Sequence, residues 1–386
     1  MNEKSHSYII DAARSPIGKR NGSLARAHPV DLAAGVLNGL LSRSGINTES
    51  IDDFIVGCVG QINEQGMNVA RNIVLSAGLP ESIPAVSVDR QCGSSLQAIQ
   101  FAAQSIESGY SDLVVAGGVE SMSRIPLGST INENSNPVTE AIRKRYSLNS
   151  GWFSQAKGAA IIAKRKSMTR KDLDQFSFES HMRATAAINL FKREIIPHKY
   201  PDGHIVEADE GIRSNTSLEA LSNLKEAFPG VEMITAGNSS QISDGASFTI
   251  IASSKFVNKN NLEPRGRFLS FSTVGVDPIS MLTGPVPATY KALDRLGMSI
   301  EDIDCFEINE AFAPVVLSWE METGVDARKV NILGGAIALG HPVGATGSRL
   351  VTTMLNVLET KRLHTGLIAI CEGGGMANAC IIERVE

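Results

Sequence analysis

The sequence predicts an α/β protein of two similar domains, the first interrupted by a long inserted segment. Three observations carry that prediction. Short apolar runs alternate with helix-period segments along the 386 residues. Residues 45–57, GINTESIDDFIVG, return over residues 297–309 as GMSIEDIDCFEIN, an offset of 252. Residues 113–122, LVVAGGVESM, match residues 367–376, LIAICEGGGM, at 254, whereas residues 377–383, ANACIIE, match residues 246–252, ASFTIIA, at only 131. The fall from 254 to 131 implies about 123 extra residues inside the first copy. The expected division is residues 1–123 with 244–262 as the first domain, 124–243 as the insertion and 263–386 as the second domain.

Tyr8-Ile9-Ile10 reads as a strand, residues 14–24 as a turn-rich loop, and the segment through Leu41 as a helix. Ala85, Val86 and Val88 read as a short buried strand. Leu96, Ile99, Ala103 and Ile106 then share one helical face that Gly109 closes as C-cap. At the offset of 252 this helix, residues 93–106, lies over residues 345–358, where ATGSRLVTTMLNVL repeats the small-residue start and amphipathic run. Inside the insertion Thr169 is an N-cap with Asp172 three residues on. It opens a helix with Leu173, Phe176, Ala184, Ala187 and Phe191 inward, so the segment is expected to form a lid or cover. Alternating strands and helices predict mainly parallel sheets, with functional residues where strand ends meet helix starts; Cys92 and Cys371 both lie at such ends.

Composition narrows the class. With 42% hydrophobic and 20% charged residues the chain is ordinary globular material. No apolar run reaches the ~18 residues of a membrane span, and the N-terminus lacks a secretory apolar core, so a cytoplasmic location is expected. Five cysteines at wide, irregular spacing offer no metal or redox pair. A net charge of -5 argues against a general nucleic-acid or anionic-membrane surface. Residues 143–171 nevertheless hold nine Lys or Arg (Arg143, Lys144, Arg145, Lys157, Lys164, Arg165, Lys166, Arg170, Lys171) and no acid. This is either a patch for a polyanionic small molecule or a solvated helix face.

Four stretches carry candidate chemistry. At the turn DRQCG, Cys92 would sit in the first turn of a helix, where free N–H groups and the dipole favour a thiolate, and Gly93 would let a substrate approach the backbone. The same residues also suit a small buried cysteine in a core helix. In FEINEAFA a strand stops at Asn309, an amide able to fix a water or carbonyl oxygen, or simply to cap a turn. In GGAIALGHPVGATG, small residues clear space around His341, which can deprotonate a thiol. In CEGGGM, Cys371 precedes three glycines whose N–H groups can converge on one oxyanion. One cysteine can carry an acyl group while the other moves a proton, as carbon–carbon bond chemistry beside a thioester demands.

Together QCGSS, GVESMS, TAGNSS, NEAFA, GHPVGATG and CEGGGM, in this order from Arg14 to the C-terminus, resemble the thiolase family. That resemblance implies two five-stranded βαβαβαββ domains in a layered αβαβα arrangement, with an inserted loop domain that binds coenzyme A. It implies acyl transfer onto Cys92, activated by His341, with Cys371 as acid or base at the acyl α-carbon. Asn309 and His341 would serve one oxyanion hole, and the N–H groups of Cys92 and Gly373 the other. Arg213, Ala236 and Ser240 would contact coenzyme A, while Met281 and Phe312 would line the acyl pocket. The reaction would be thiolysis of a 3-ketoacyl-CoA or the reverse Claisen condensation of acetyl-CoA, with coenzyme A as substrate, no permanent cofactor or metal, and a homodimer or homotetramer as the assembly.

The chain also departs from the family pattern, with Asp89 for a common Asn, Ser95 for a common Gly, Ala220 for a serine of short-chain enzymes, and WFSQ at residues 152–155 in place of HMG. A decarboxylating ketosynthase would need a second histidine where Cys371 stands. A non-catalytic lipid carrier should have lost a reactive group, and a cysteine hydrolase leaves Cys371 and the repeat unexplained.

Overall fold

Alternate residues of each central strand face different apolar cores, and this alternation sets the layering. Strand β1 (Ser7–Arg14) turns Ile9 and Ala12 to one core and Ile10 and Ala13 to the next; strand β2 (Asp53–Gly57) likewise sends Ile55 one way and Phe54 and Val56 the other. The structure, a computed structural model, describes residues 6–131, 136–148 and 151–385. With β3 (Ala85–Val88), β4 (Leu113–Ser121) and β5 (Ser243–Ser253), these strands make the first half. Strands β6 (Gly266–Gly275), β7 (Cys305–Ile308), β8 (Thr365–Glu372) and β9 (Met376–Arg384) make the second.

The strand order is β7-β8-β9-β6-β1-β5-β4-β2-β3, the two half-sheets pairing at Tyr8↔Arg267 and Ile9↔Gly266. The expected mainly parallel sheets are corrected to mixed ones. Among these nine strands β2–β3, β2–β4 and β7–β8 pair parallel, while the other neighbours run antiparallel. The reason is local: β8 and β9 are joined by only the three glycines 373–375, a hairpin that leaves no room for a crossover helix.

Helices α1 (Pro29–Ser44) and α2 (Val69–Ser76) cover the outer face of the first half. The equivalent helices α3 (Ser94–Glu107) and α9 (Thr346–Lys361) share the middle core. Ser348 N–H donates to Ser95 Oγ at 3.0 Å, and a Cβ on Gly347 would lie 2.4 Å from Leu96 N. Ser95, a departure from the common glycine, therefore caps its partner helix. Helices α6 (Pro285–Asp294) and α7 (Ala313–Thr323) cover the second half, joined there by inserted helices α4 (Gln155–Arg165) and α5 (Arg170–Phe191). Helix α5 opens on the expected Thr169/Asp172 capping box and buries Leu173, Phe176, Ala184, Ala187 and Phe191.

The duplication holds in the ladder itself. Asp53↔Val114 recurs as Cys305↔Gly366, both residues displaced by 252, and Glu120↔Gly245 recurs as Glu372↔Met376, the second residue displaced by 131. The strand offset of 254 is thus corrected to 252 and the excess in the first copy to 121, the difference between 252 and 131. A two-residue slip keeps every side chain on its face, so apolar patterning could not detect it. The fifth strand of the second half survives only as the bridge Phe306↔Val330, the counterpart of Phe54↔Ala85. Seven more residues then precede the following helix than in the first copy, as 306 is 252 beyond 54 but 330 only 245 beyond 85. They form the short helix α8 (Ala336–Leu339) and the loop bearing His341.

Candidate active site

Cys92 sits where the edge strand β3 turns into α3. The expectation of a buried strand is corrected, since β3 is only half-buried and Val86 is 44% exposed. The turn is held locally: Asp89 Oδ1 accepts from Gln91 N–H at 2.7 Å, and Ser94 Oγ accepts from Arg90 N–H at 2.9 Å. Gln91 adopts the left-handed region at φ 49°, a cost carried immediately before the sulfur. Helix α3 begins at Ser94 with Gly93 as its N-cap, so Cys92 lies just ahead of the helix rather than in its first turn. Gly93 cannot be replaced freely, because a Cβ there would lie 2.0 Å from Glu372 Oε1 and 2.7 Å from Asn378 Nδ2.

His341 follows Gly340, whose φ of 112° and closeness to Ser243 Oγ demand glycine. Two buried carboxylates pin its loop. Glu310 accepts from Ser180 Oγ, Asn331 Nδ2 and Ile337 N–H at 2.7, 3.0 and 3.0 Å. Glu120 accepts from Gly344 N–H at 3.1 Å as well as from Val59 N–H, Gly60 N–H and Gln65 Nε2. The ring itself is oriented from behind. Thr346 Oγ1 donates to the Pro342 carbonyl at 2.9 Å and lies 2.6 Å from His341 Nδ1, so it accepts from Nδ1–H and leaves Nε2 as an acceptor. Asn309, just past β7, brings Nδ2 to 3.5 Å from Nε2 while its buried Oδ1 has no partner among the described residues.

Cys371 is the penultimate residue of β8 and fully buried, and Gly373 follows on the hairpin. Around Cys92 Sγ converge the side-chain amide of Gln155 and the N–H groups of Gly373 and Cys92 itself, each favouring the thiolate. Burial first, and the Glu372 carboxyl second, outweigh them and hold the thiol up at about 12. The expected helix-start thiolate is therefore corrected to a neutral thiol at rest. Cys371 is likewise raised well above the ordinary thiol range, by burial first and then by Cys92 and Glu372. Burial, with Arg349 next, depresses His341 to about 3, so the imidazole is neutral. A neutral acceptor thus lines the site with two thiols that burial keeps neutral, an arrangement suited to proton transfer as the bond forms.

A cavity of about 380 Å³ is lined by Cys92, His341, Ser240, Phe312, Phe228 and Gln155. A second, of about 810 Å³, shares Val59, Gln91, Leu127 and Gln155 with it and adds Gly373, Trp152, Phe153 and Asp89. Met281 does not line either; it is fully buried, its Cγ 3.5 Å from where a Cβ on Gly158 would stand. Arg213 and Ala236 are exposed and lie off both walls. Of the nine cations, Lys166 pairs with Glu322 at 3.0 Å and Arg170 with Asp174 at 2.9 Å; Lys144, Arg145, Lys157, Lys164, Arg165 and Lys171 are exposed. Among the described residues no cluster of His, Cys, Asp or Glu is placed to hold a metal ion, and no helix is long and apolar enough to cross a membrane.

Sequence reasoning missed Thr346, Gln155 and Glu372 as site residues. Thr346 shared a motif with His341, and Gln155 marked a departure from HMG, but their roles depend on contacts made through space.

Comparison with known proteins agrees with this geometry. Residues 7–255 match the family described as thiolase, N-terminal domain, and residues 262–384 the thiolase, C-terminal domain. The chain is 48% identical, over 98% of its length and 94% of the relative's, to the steroid 3-ketoacyl-CoA thiolase FadA6 of Mycobacterium tuberculosis. It is 39% identical to a 3-ketoacyl-CoA thiolase of Bacillus subtilis over 97% of this chain and 98% of that one. The crystal structure of the Bacillus anthracis acetyl-CoA acetyltransferase superposes with a TM-score of 0.91 at 34% identity, covering 100% of both chains.

Proposed function

The chain belongs to the thiolase family and is an acyltransferase acting on coenzyme A thioesters, and from that premise we propose how its residues divide the work. His341 Nε2 takes the Cys92 proton as the sulfur bonds to C3 of a 3-ketoacyl-CoA. The new oxyanion is met by the N–H groups of Cys92 and Gly373. The C2–C3 bond then breaks, its electron pair passing to C2 and the thioester oxygen. That oxygen is held by the protonated His341 and a water on Asn309, and Cys371 gives C2 its proton as acetyl-CoA leaves. The thiol of coenzyme A next loses its proton to the Cys371 thiolate and attacks the acyl carbon; Cys92 departs and recovers its proton from His341. The reverse sequence is the Claisen condensation. The unprotonated Nε2 of a histidine that lines the same cavity as Cys92 is the observation that carries this assignment.

The preferred acyl group is proposed to be larger than acetyl. The second cavity, lined by Trp152 and Phe153 beside Gly373, supports this, as does the likeness to a steroid 3-ketoacyl-CoA thiolase. Coenzyme A would thread past Ser240 and Phe312, with its nucleotide end near Arg213, Ala236 and the exposed cations of the inserted segment. Residues 124–243 would then form the coenzyme-binding loop domain between residues 1–123 with 244–262 and residues 263–386. The exposed apolar Val86 and Phe101 on and beside the edge strand support a homodimer or homotetramer.

Intact mass after mixing with acyl-CoA tests the core of this reading. One acyl adduct on Cys92 is expected, and its absence from the wild type would overturn it. A panel of 3-ketoacyl-CoA substrates should give the highest kcat/KM to a bulky acyl chain; a preference for acetoacetyl-CoA would refute the size assignment.

A further inference from the structure

Glu372 is the last residue of β8, fully buried, and neither carboxyl oxygen has a hydrogen-bond partner among the described residues. Its counterpart in the first half, Glu120, lies at the same ladder position, 252 residues earlier, and is met by four N–H donors and the Cys58 thiol. Glu120 is thus held as an anion would be, whereas Glu372 is not. An apolar side chain or an amide would suit such a donor-free site better, unless the exchange of a proton matters there.

The geometry shows what a proton on Glu372 would do. Asn378, on β9 and the same face of the hairpin, donates Nδ2–H to the Gly93 carbonyl at 3.0 Å, and its Oδ1 is buried and unpartnered. Glu372 Oε1, Asn378 Nδ2 and Asn378 Oδ1 lie 2.0, 2.7 and 2.8 Å from the single point where a Cβ of Gly93 would be. Nδ2 is committed to the Gly93 carbonyl, so Oδ1 is the atom left to accept, and an acid proton on Glu372 would supply what it lacks. Glu372 directly precedes Gly373, and Gly93 directly follows Cys92. A bond from a protonated Glu372 to Asn378 would therefore set the spacing of the two segments whose N–H groups face the nucleophile.

Resting on the thiolase assignment above, we propose that Glu372 is a positioning residue: as a neutral acid bonded to Asn378 it locks Gly93 against Gly373. On ionising it releases that lock and sets a negative charge beside Cys92. Burial holds its carboxyl up at about 8, with Arg90 lowering it and Asp89 raising it, and Cys92 and Cys371 are the titratable groups its charge disfavours as thiolates. The sign follows. The productive neutral form dominates below about pH 8 and is lost as pH rises through it.

The test measures kcat, KM and Cys92 acylation between about pH 6 and pH 10 for the wild type, Glu372→Gln and Asn378→Ala. Wild-type kcat/KM should fall about tenfold per pH unit on the alkaline side. Glu372→Gln, whose amide can still donate to Asn378, should keep kcat within a few-fold at neutral pH and lose that limb. Asn378→Ala, which deprives the acid of its acceptor, should move the limb to lower pH. A folded Glu372→Gln with an unchanged limb, or a wild type with none, overturns the proposal; should Glu372→Gln not fold, an unmoved limb in Asn378→Ala does so. A wild type that takes up no acyl group on Cys92 would instead refute the thiolase assignment, so the two failures are distinguishable.

Discussion

Thr346 Oγ1 lies 2.6 Å from His341 Nδ1 while its own proton goes to the Pro342 carbonyl at 2.9 Å, an arrangement that fixes which ring nitrogen is bare. Replacing Thr346 by Val removes the acceptor and frees the imidazole to carry its proton on Nε2, the wrong face for a base. A kcat loss of about tenfold to a hundredfold is expected with KM little changed, and Thr346→Ser should restore most of it. Steady-state kinetics on the two variants decides the point; equal losses in both would show that packing, not tautomer control, is at stake.

The two cysteines should separate cleanly. Cys92→Ser is expected to take up no acyl group, since a hydroxyl is a far weaker nucleophile at its ordinary pKa. Cys371→Ala should still be acylated by acetyl-CoA, more slowly because the departing coenzyme A thiolate loses its proton donor, and should lose acetoacetyl-CoA cleavage, which also needs the α-proton, by at least about a hundredfold. Intact mass and a cleavage assay read the two steps independently. Loss of acylation in folded Cys371→Ala as complete as in Cys92→Ser would show the division of roles to be wrong.

Gln155 offers the first of the groups that favour the Cys92 thiolate. Gln155→Leu keeps the volume but withdraws the amide, so the thiol should rise further and be alkylated by iodoacetamide about three- to tenfold more slowly at a given pH. An unaltered alkylation rate would mean that the amide serves only as a wall between the two cavities.

Much of the framework was legible because repetition survives in the chain. The offset of 252 placed Asp53 over Cys305 before any coordinate was known, and Thr169 and Asp172 announced α5. The failures share a cause, in that each depended on what lies across space. The uniform burial of β4 and β8 hid a two-residue slip. The fifth strand of the second half dwindled to a bridge at Val330 because its residues were spent on the His341 loop, a trade no periodicity records. Cys92 lies at a helix start that favours a thiolate, yet burial is the larger effect and raises the thiol.

Glu120 and Glu372 finally allow one substitution to be compared at two equivalent places. Glu120 Oε2 accepts from Val59 N–H and Gly344 N–H, and Oε1 from Gly60 N–H and Gln65 Nε2. In Glu120→Gln one of these oxygens becomes an NH2 group that confronts two donors, leaving buried N–H groups unpaired. A loss of about 3–5 kcal/mol is expected, well outside the range of ordinary surface changes. Because Gly344 stands three residues beyond His341, activity should fall even at temperatures where the variant remains folded. Glu372→Gln meets no donors, so it should alter stability by less than about 1 kcal/mol. Denaturant unfolding of the pair, followed by kcat on the folded fraction, checks both. Similar stabilities for the two variants would show that the donor cradle around Glu120, and its absence around Glu372, is not what distinguishes the two carboxyls.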